Sequence, residues 1–332
     1  MKKLLIVVVI ISLLPSLLLS FKGGTSINSE SGKDDGFSFL IAGFDDAGAN
    51  TDALLLLSYS QRSNSVSFLQ IPRDTYYNSG KGTNRINGVF ASAVSEGLSK
   101  NEAMSSLVSA ISGALGIKID GYAGYDREAF KRILSAVGDI EVVLPYDLTY
   151  DRPDGERVVI LKKGSNILGA EEALSFVRFR EGYLMGDLGR VDAQKFFFKA
   201  LAEKLRDSFG IRMAFRLLGV GSDGIVTDIS PREMASLAIK SHSKIKSAKA
   251  YFVTLPGQST DEGALGWYYA VNLDASKRVI SALELNKYRE YDLEARLLKA
   301  DSEAFKAIYY KIGHPYRIYD EGSLTEINIK TG

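Results

Sequence analysis

The chain has 332 residues, 45% of them hydrophobic and 24% charged, which is ordinary for a globular protein and excludes wholesale disorder. The formal net charge of +1 leaves no global basic field, so nucleic acid is not an expected partner. With no cysteine and only two histidines, thiol catalysis, disulfides, a Ser-His-Asp triad and a histidine-rich zinc site are all disfavoured.

The chain begins with two lysines and an apolar run from Leu4 to Phe21, broken only by Ser and Pro. That is about the shortest stretch that spans a bilayer. "SLLLSFKGG" is a poor cleavage site, which favours an uncleaved anchor over residues 1–21 against a secretory signal peptide. Lys2 and Lys3 keep the N-terminus cytoplasmic and the remainder outside. Residues 22–36, "KGGTSINSESGKDDG", read as a polar linker.

"FSFLIAGFDD" reads as a strand running into a loop that carries Asp45 and Asp46. Two apolar runs, 53–59 and 66–71, are joined by "QRSNS" and read as an antiparallel hairpin. A symmetric hairpin centred on Ser63 sets Asp52 directly across from Asp74, a like-charge pair that calls for a compensating cation. "KNEAMSSLVSAISGALG" has apolar residues at helical spacing. "DREAFKRILSAVG" is a second helix, capped by Asp126 and stopped by Gly138. "IEVVLP" is a strand, and "GAEEALSFVRFRE" begins helical and ends extended. A long helix starts near Asp187, a shorter one opens at Ser230, "AKAYFVTLPG" is a strand and "NLDASKRVISALE" a helix. The segment 285–332 carries no clear pattern. Interleaved strands and helices give an α/β or α+β class with helices covering a sheet.

Two constellations stand out. If the first strand is antiparallel to the hairpin, Asp45, Asp46, Asp52 and Asp74 gather at one edge. A Mg²⁺ ion is bound through one or two carboxylates plus substrate phosphate oxygens; the competing reading is that each Asp serves only a turn or a cap. The second constellation is basic. "RFR" sets Arg178 and Arg180 on one face of an extended segment, and Arg190 and Gln194 share a helix face near a helix start. Guanidinium forks match phosphate oxygens; ordinary ion pairs with Glu181, Asp187 and Asp192 are the alternative. Arg73 and Arg85 are candidates for the same cluster. "GVGSDG" at 219–224 fits a dinucleotide fingerprint but lies in the reverse of the required strand-then-helix context. Trp267, Tyr268 and Tyr269 suit either a core or a sugar site.

"TDALLLLSYS…VSFLQIPRDT", "NRINGVFASA", "GAEEALSFVRFRE…GDLGRVDAQKFF" and "VTLPG", in that order between about 37 and 275, resemble the LytR-CpsA-Psr family of bacterial cell-wall ligases. The resemblance implies a central mixed sheet with an antiparallel hairpin, helices on both faces and an apolar tunnel for a prenyl chain. It implies a catalytic domain over 37–284 that transfers a glycopolymer from polyprenyl pyrophosphate to peptidoglycan through a phosphodiester, with Mg²⁺ as cofactor and polyprenyl phosphate as leaving group. By position, Asp45 and Asp52 match the family's metal-binding aspartates. Arg73, Asp74, Arg178, Arg180, Asp187, Arg190 and Gln194 match its pyrophosphate-site residues, and Arg85 stands where a lysine is usual. Asp74, Arg73, Arg178 and Arg190 are the expected catalytic set, with Asp74 as base. Helix 101–115 and the "FFF" run at 196–198 are candidates for the tunnel wall. Asn50 replaces an arginine usual in the family, and the loop between the matched metal aspartates is short. A polyprenyl pyrophosphatase and a non-catalytic lipid-binding or regulatory envelope protein remain open beside the ligase.

Overall fold

The computed structural model describes residues 37–60, 63–80, 84–179, 187–208, 211–229, 249–259, 268–283 and 325–327. The expected anchor, linker, Ser230 helix and C-terminal segment, apart from a short strand at Thr325–Ile327, lie outside these residues. The first strands are β1 (Phe37–Phe44), β2 (Thr51–Ser60) and β3 (Ser65–Ile71). Helices α1 (Asn87–Ser95) and α2 (Lys100–Leu115) follow, then β4 (Gly121–Tyr125) and α3 (Arg127–Val137). Four short strands come next: β5 (Ile140–Leu144), β6 (Leu148–Asp151), β7 (Arg157–Leu161) and β8 (Gly164–Leu168). Helices α4 (Ala170–Arg178), α5 (Asp187–Ser208) and α6 (Ile211–Leu218) lead to β9 (Ile225–Thr227). The remainder comprises β10 (Lys249–Thr254), β11 (Gly257–Ser259), β12 (Tyr269–Val271), α7 (Leu273–Ala282) and β13 (Thr325–Ile327).

Seven strands form one mixed sheet in the order β13-β10-β3-β2-β1-β4-β9. The β1–β2 and β2–β3 pairs are antiparallel, as expected, whereas β1–β4 and β3–β10 are parallel. The central strands are apolar on both faces because both are covered. Phe39, Ile41, Leu55, Leu57 and Phe68 face a core filled from α3, α4 and α5. Their alternates Leu40, Leu54, Leu56, Leu69 and Ile71 face a second core with α1, α2 and α7. Helices thus lie on both faces, as the resemblance implied. Helix α2 packs in the second core, and none of its residues lines the cavity that α4 and α5 border.

The hairpin register differs from the expected one by a single residue. Leu54 pairs with Ile71 and Ser60 with Ser65, so the turn holds an even number of residues. Asn64 adopts the left-handed conformation there, φ 46°, and its side chain accepts from Tyr59 Oη at 3.1 Å. Carried past Leu54–Ile71, this register aims Arg73, not Asp74, at Asp52. The compensating cation is therefore the cross-strand partner itself.

Helix ends follow local chemistry. Ser99 and Glu102 form a reciprocal capping box on α2, and Gly116 ends it at φ 63°. Asp126 caps α3 through Ala129 N at 2.8 Å and Gly138 closes it, as expected. Helix α4 includes Arg178, which was expected in an extended segment; Phe179, the last described residue before 187, is extended. Helix α1 and the β6–β7 hairpin went unread in the sequence. The α1 cap position is Ile86, which offers no capping side chain, and Asn87-Gly88 mimics a turn.

Strand β4 reads Gly-Tyr-Ala-Gly-Tyr, and its glycines admit aromatic rings from β1. A Cβ at Gly124 would overlap the Phe44 ring, which stacks on Phe90 at 5.1 Å. Gly124→Ala is expected to lower stability by about 1–3 kcal/mol through overpacking. Gly113 lies in α2 with open space around it, and Gly113→Ala should raise stability by up to about 1 kcal/mol. Urea denaturation of both variants checks the pair; equal midpoints contradict it.

Candidate functional site

Parallel pairing of β1 with β4, with Gly43 beside Tyr125, brings the loop after β1 next to the start of α3. A cavity opens there, between these ends and helices α4 and α5. Its empty volume, counting space open to solvent, is about 580 Å³. Asp52, Arg127 and Arg178 contribute charge, Phe44, Phe130, Leu174 and Phe198 make apolar walls, and Gln194 lies inside. Tyr125 also lines it, and burial pushes its phenol up to about 12, so that ring is a neutral wall.

The loop from Asp45 to Asn50 is folded on the Asp45 carboxylate, whose Oδ1 accepts from Ala49 N at 2.9 Å and Asn50 N at 3.2 Å. Gly48, at φ 64°, lets the loop turn back. Asp46 projects from it and takes both arms of the Arg178 guanidinium, at 2.6 and 2.8 Å. Arg127 approaches the same Asp46 oxygen at 3.6 Å. The hydrogen bond from Arg178, then the charges of Arg178 and Arg127, hold the Asp46 carboxyl below the usual range. Arg178 is raised in turn, chiefly by Asp46, with smaller contributions from Asp52 and Asp45. Asp45, Asp46 and Asp52 of the acidic set therefore share one place with Arg178 of the basic set.

Asp52 is paired with Arg73 across the hairpin. Arg73 Nε also lies 3.6 Å from Asp74, and Arg85 Nε lies 3.4 Å from the other Asp74 oxygen. Asp74 is thus not on the cavity wall but one step behind it, linked through Arg73 and Asp52. Beyond it, Arg85 sits over the Tyr268 ring at 5.4 Å, and Tyr268 meets Tyr76 edge-on at 5.2 Å. Tyr269 is core, its hydroxyl donating to Leu255 O at 2.6 Å. Trp267 and Arg180 lie outside the described residues. Asp187 and Arg190 fall at the start of α5, but their side chains are likewise outside the description.

Gln194 does not present a free amide. Its Nε2 donates to Val177 O at 2.7 Å, and its Oε1 accepts from Gln70 Nε2 at 2.5 Å. It ties α5 to β3 and to the last turn of α4, the turn that carries Arg178. Of the phenylalanine run, Phe198 lines the cavity, Phe197 is fully buried core, and Phe196 meets Tyr146. Sequence reasoning missed Arg127, because its only signal was that it follows the Asp126 cap.

Among the described residues no group of three or more Asp, Glu or His is placed to hold a metal. Asp45 and Asp52, both close enough to Arg178 to act on its charge, nonetheless match the one or two carboxylates that Mg²⁺ takes from protein when phosphate oxygens complete its shell.

The LytR_cpsA_psr family model matches residues 21–284. This chain belongs to that family. TagV of Bacillus subtilis, named a polyisoprenyl-teichoic acid–peptidoglycan teichoic acid transferase, is 28% identical over 254 residues, 74% of this chain. The match spans 63% of that relative's length. TagU of Oceanobacillus iheyensis, with the same transferase name, is 24% identical over 262 residues, 77% of this chain and 78% of its own. The crystal structure of B. subtilis TagV matches with TM-score 0.57 at 25% identity, covering 77% of this chain and 100% of that one. The mixed sheet under two helical layers is therefore the family's fold.

The Gln70–Gln194 pair is buried, and each truncation should show. Gln194→Leu leaves Gln70 without its acceptor and should cost about 1–3 kcal/mol; adding Gln70→Leu should recover part of that, since replacing both partners is cheaper than orphaning one. A double-mutant cycle by urea denaturation measures it, and strict additivity of the two losses contradicts the pairing.

Proposed function

We propose that this protein is a phosphotransferase that attaches a polyprenyl-pyrophosphate-linked glycopolymer to peptidoglycan through a phosphodiester and releases polyprenyl phosphate. The observation that carries the reading is the shared rim of Asp52 and Arg178 over an apolar cavity. Such a site suits a ligand with an anionic head and a hydrocarbon tail. The transferase names of the two relatives supply the substrate class.

In this reading the diphosphate lies at the rim and the first prenyl units contact Phe130, Leu174 and Phe198. Arg178 gives a two-point contact to the phosphoryl oxygens and stabilises charge growing on the leaving phosphate. Arg190 and Arg180 are assigned to the same charge from their sequence positions, and Asp187 to orienting them. Gln194 positions Arg178 by fixing the end of α4. Arg73 holds Asp52 in place, and Arg85 borders the acceptor side. The attacking sugar hydroxyl bonds through its oxygen to the phosphorus proximal to the glycopolymer as the diphosphate bridge breaks; Asp74, which lies one step behind the wall, is assigned as the acceptor of its proton from sequence position alone. Asp45 and Asp52 would hold Mg²⁺, which when bound neutralises diphosphate charge.

Asp45 keeps one oxygen on its loop while doing so, which pins that carboxylate. Residues 1–21 are proposed as a single-pass anchor with the N-terminus cytoplasmic and 37–284 outside the cell; among the described residues no helix is long and apolar enough to cross a membrane.

Purified protein, lipid-linked polymer, peptidoglycan and Mg²⁺ provide the test, reading both polymer bound to peptidoglycan and prenyl phosphate released. Arg178→Ala is expected to cut transfer by roughly 10²-fold or more while the melting temperature stays near wild type, and Arg190→Ala should do likewise. Full activity in both variants would falsify the site. Release of prenyl phosphate without polymer transfer points to a pyrophosphatase instead. Chelation of Mg²⁺ should suppress transfer, and undiminished transfer after exhaustive chelation removes the metal from the reading.

A further inference from the structure

We propose that Arg127 is a further anion-binding residue of this cavity, and that Asp46 is an intrachain carboxylate that occupies both guanidinium groups until a phosphoryl group replaces it. The inference rests on the diphosphate reading above. Arg127 and Arg178 come from different helices, α3 and α4, and both line the cavity. Asp46 reaches them from the loop side and is not among the residues lining the cavity, so both cations stay at the rim when it leaves.

One carboxylate serves these two cations unequally. Arg178 receives a complete fork at 2.6 and 2.8 Å. Arg127 Nη1 lies 3.6 Å from the oxygen already taken by Arg178 Nη1, beyond hydrogen-bonding length. A carboxylate has two oxygens, and Arg178 uses both. A phosphoryl group has an additional oxygen and more charge, so it can give Arg178 its fork and still offer Arg127 an acceptor. The geometry is that of a site built for a larger anion and filled by a smaller one.

The exchange is also cheap. The side chains of Asp46, Arg127 and Arg178 are 56%, 49% and 39% exposed, so water competes for each of them. Water screens ion pairs in that setting, and the Arg127 contact in particular contributes little, whereas the two-point Arg178 fork is the stronger of the two. Asp52, by contrast, is paired with Arg73 and acts on Arg178 only through a smaller charge effect. Asp46 therefore differs in role from its neighbours: it excludes small anions weakly and yields to a polyvalent head group.

Geranyl pyrophosphate serves as the probe, with geraniol carrying the same tail without the head group, and binding to the full chain is read by calorimetry in Mg²⁺ buffer. Arg127→Gln is expected to weaken geranyl pyrophosphate about tenfold, the loss of a charge-assisted contact, and to leave geraniol unchanged. Asp46→Asn is expected to tighten geranyl pyrophosphate by about threefold or more, because the competitor has lost its charge. Arg127→Gln within twofold of wild type overturns the assignment, as does an equal loss of geraniol, which would make Arg127 structural. Weaker binding in Asp46→Asn overturns the exchange. Arg178→Gln separates the levels. A loss there with none at Arg127 refutes this inference alone, whereas no loss at Arg178 refutes the diphosphate reading beneath it.

Discussion

Burial of the β1–β2–β3 sheet on both faces constrains everything else in this molecule. Leu54 and Leu56 point into one core and Leu55 and Leu57 into the other. A slip of one residue would exchange the two sets and bring each against helices shaped for its neighbour. Register is consequently fixed by fully buried apolar residues rather than by the polar residues beyond the strand ends. They take the positions that the leucines leave them. Asp52 and Arg73 meet because Leu54 and Ile71 pair, not because their charges recruited each other.

The same constraint organises the charges around the cavity. β1 is held between β2 and β4, so the loop that follows it is delivered to the N-terminus of α3 and to the last turn of α4. Three of the acidic residues there are met by cations: Asp46 by Arg178 and Arg127, Asp52 by Arg73, and Asp74 by Arg73 and Arg85, while Asp45 and Asp126 accept from backbone N–H groups. A compensated site of this kind can stand beside an apolar cavity without a large desolvation cost. It also keeps guanidinium groups in position before any ligand arrives, which is what electrostatic catalysis of phosphoryl transfer requires.

Much of this was legible from the chain because the signals were local. The two apolar runs of the hairpin with their polar link, the Asp126 cap with its Gly138 stop, and the helical spacing of 100–116 are each local. What escaped was set at a distance or carried weak punctuation. The turn between Ser60 and Ser65 could take an odd or an even count, and only packing decided it. Helix α1 begins at Ile86 and Asn87-Gly88, which resemble a turn, yet Phe90 and Ala93 anchor it in the second core. Arg178 looked like part of an extended segment because the helix stop after it is an ordinary Phe179 rather than a glycine. Gln194 read as a phosphate contact, but its amide is engaged with Gln70 and Val177. Arg127 had no local mark, since its partner Asp46 is brought to it only by strand pairing.

Gly124 has a meaning beyond packing. Phe44 is both the ring that occupies the space above this glycine and part of the cavity wall. The width of the cavity is thus gauged from behind, by a strand position that does not line it. Changes in bore among related chains need not appear in the lining at all; a methyl group on β4 would narrow the passage by leaning on the aromatic in front of it.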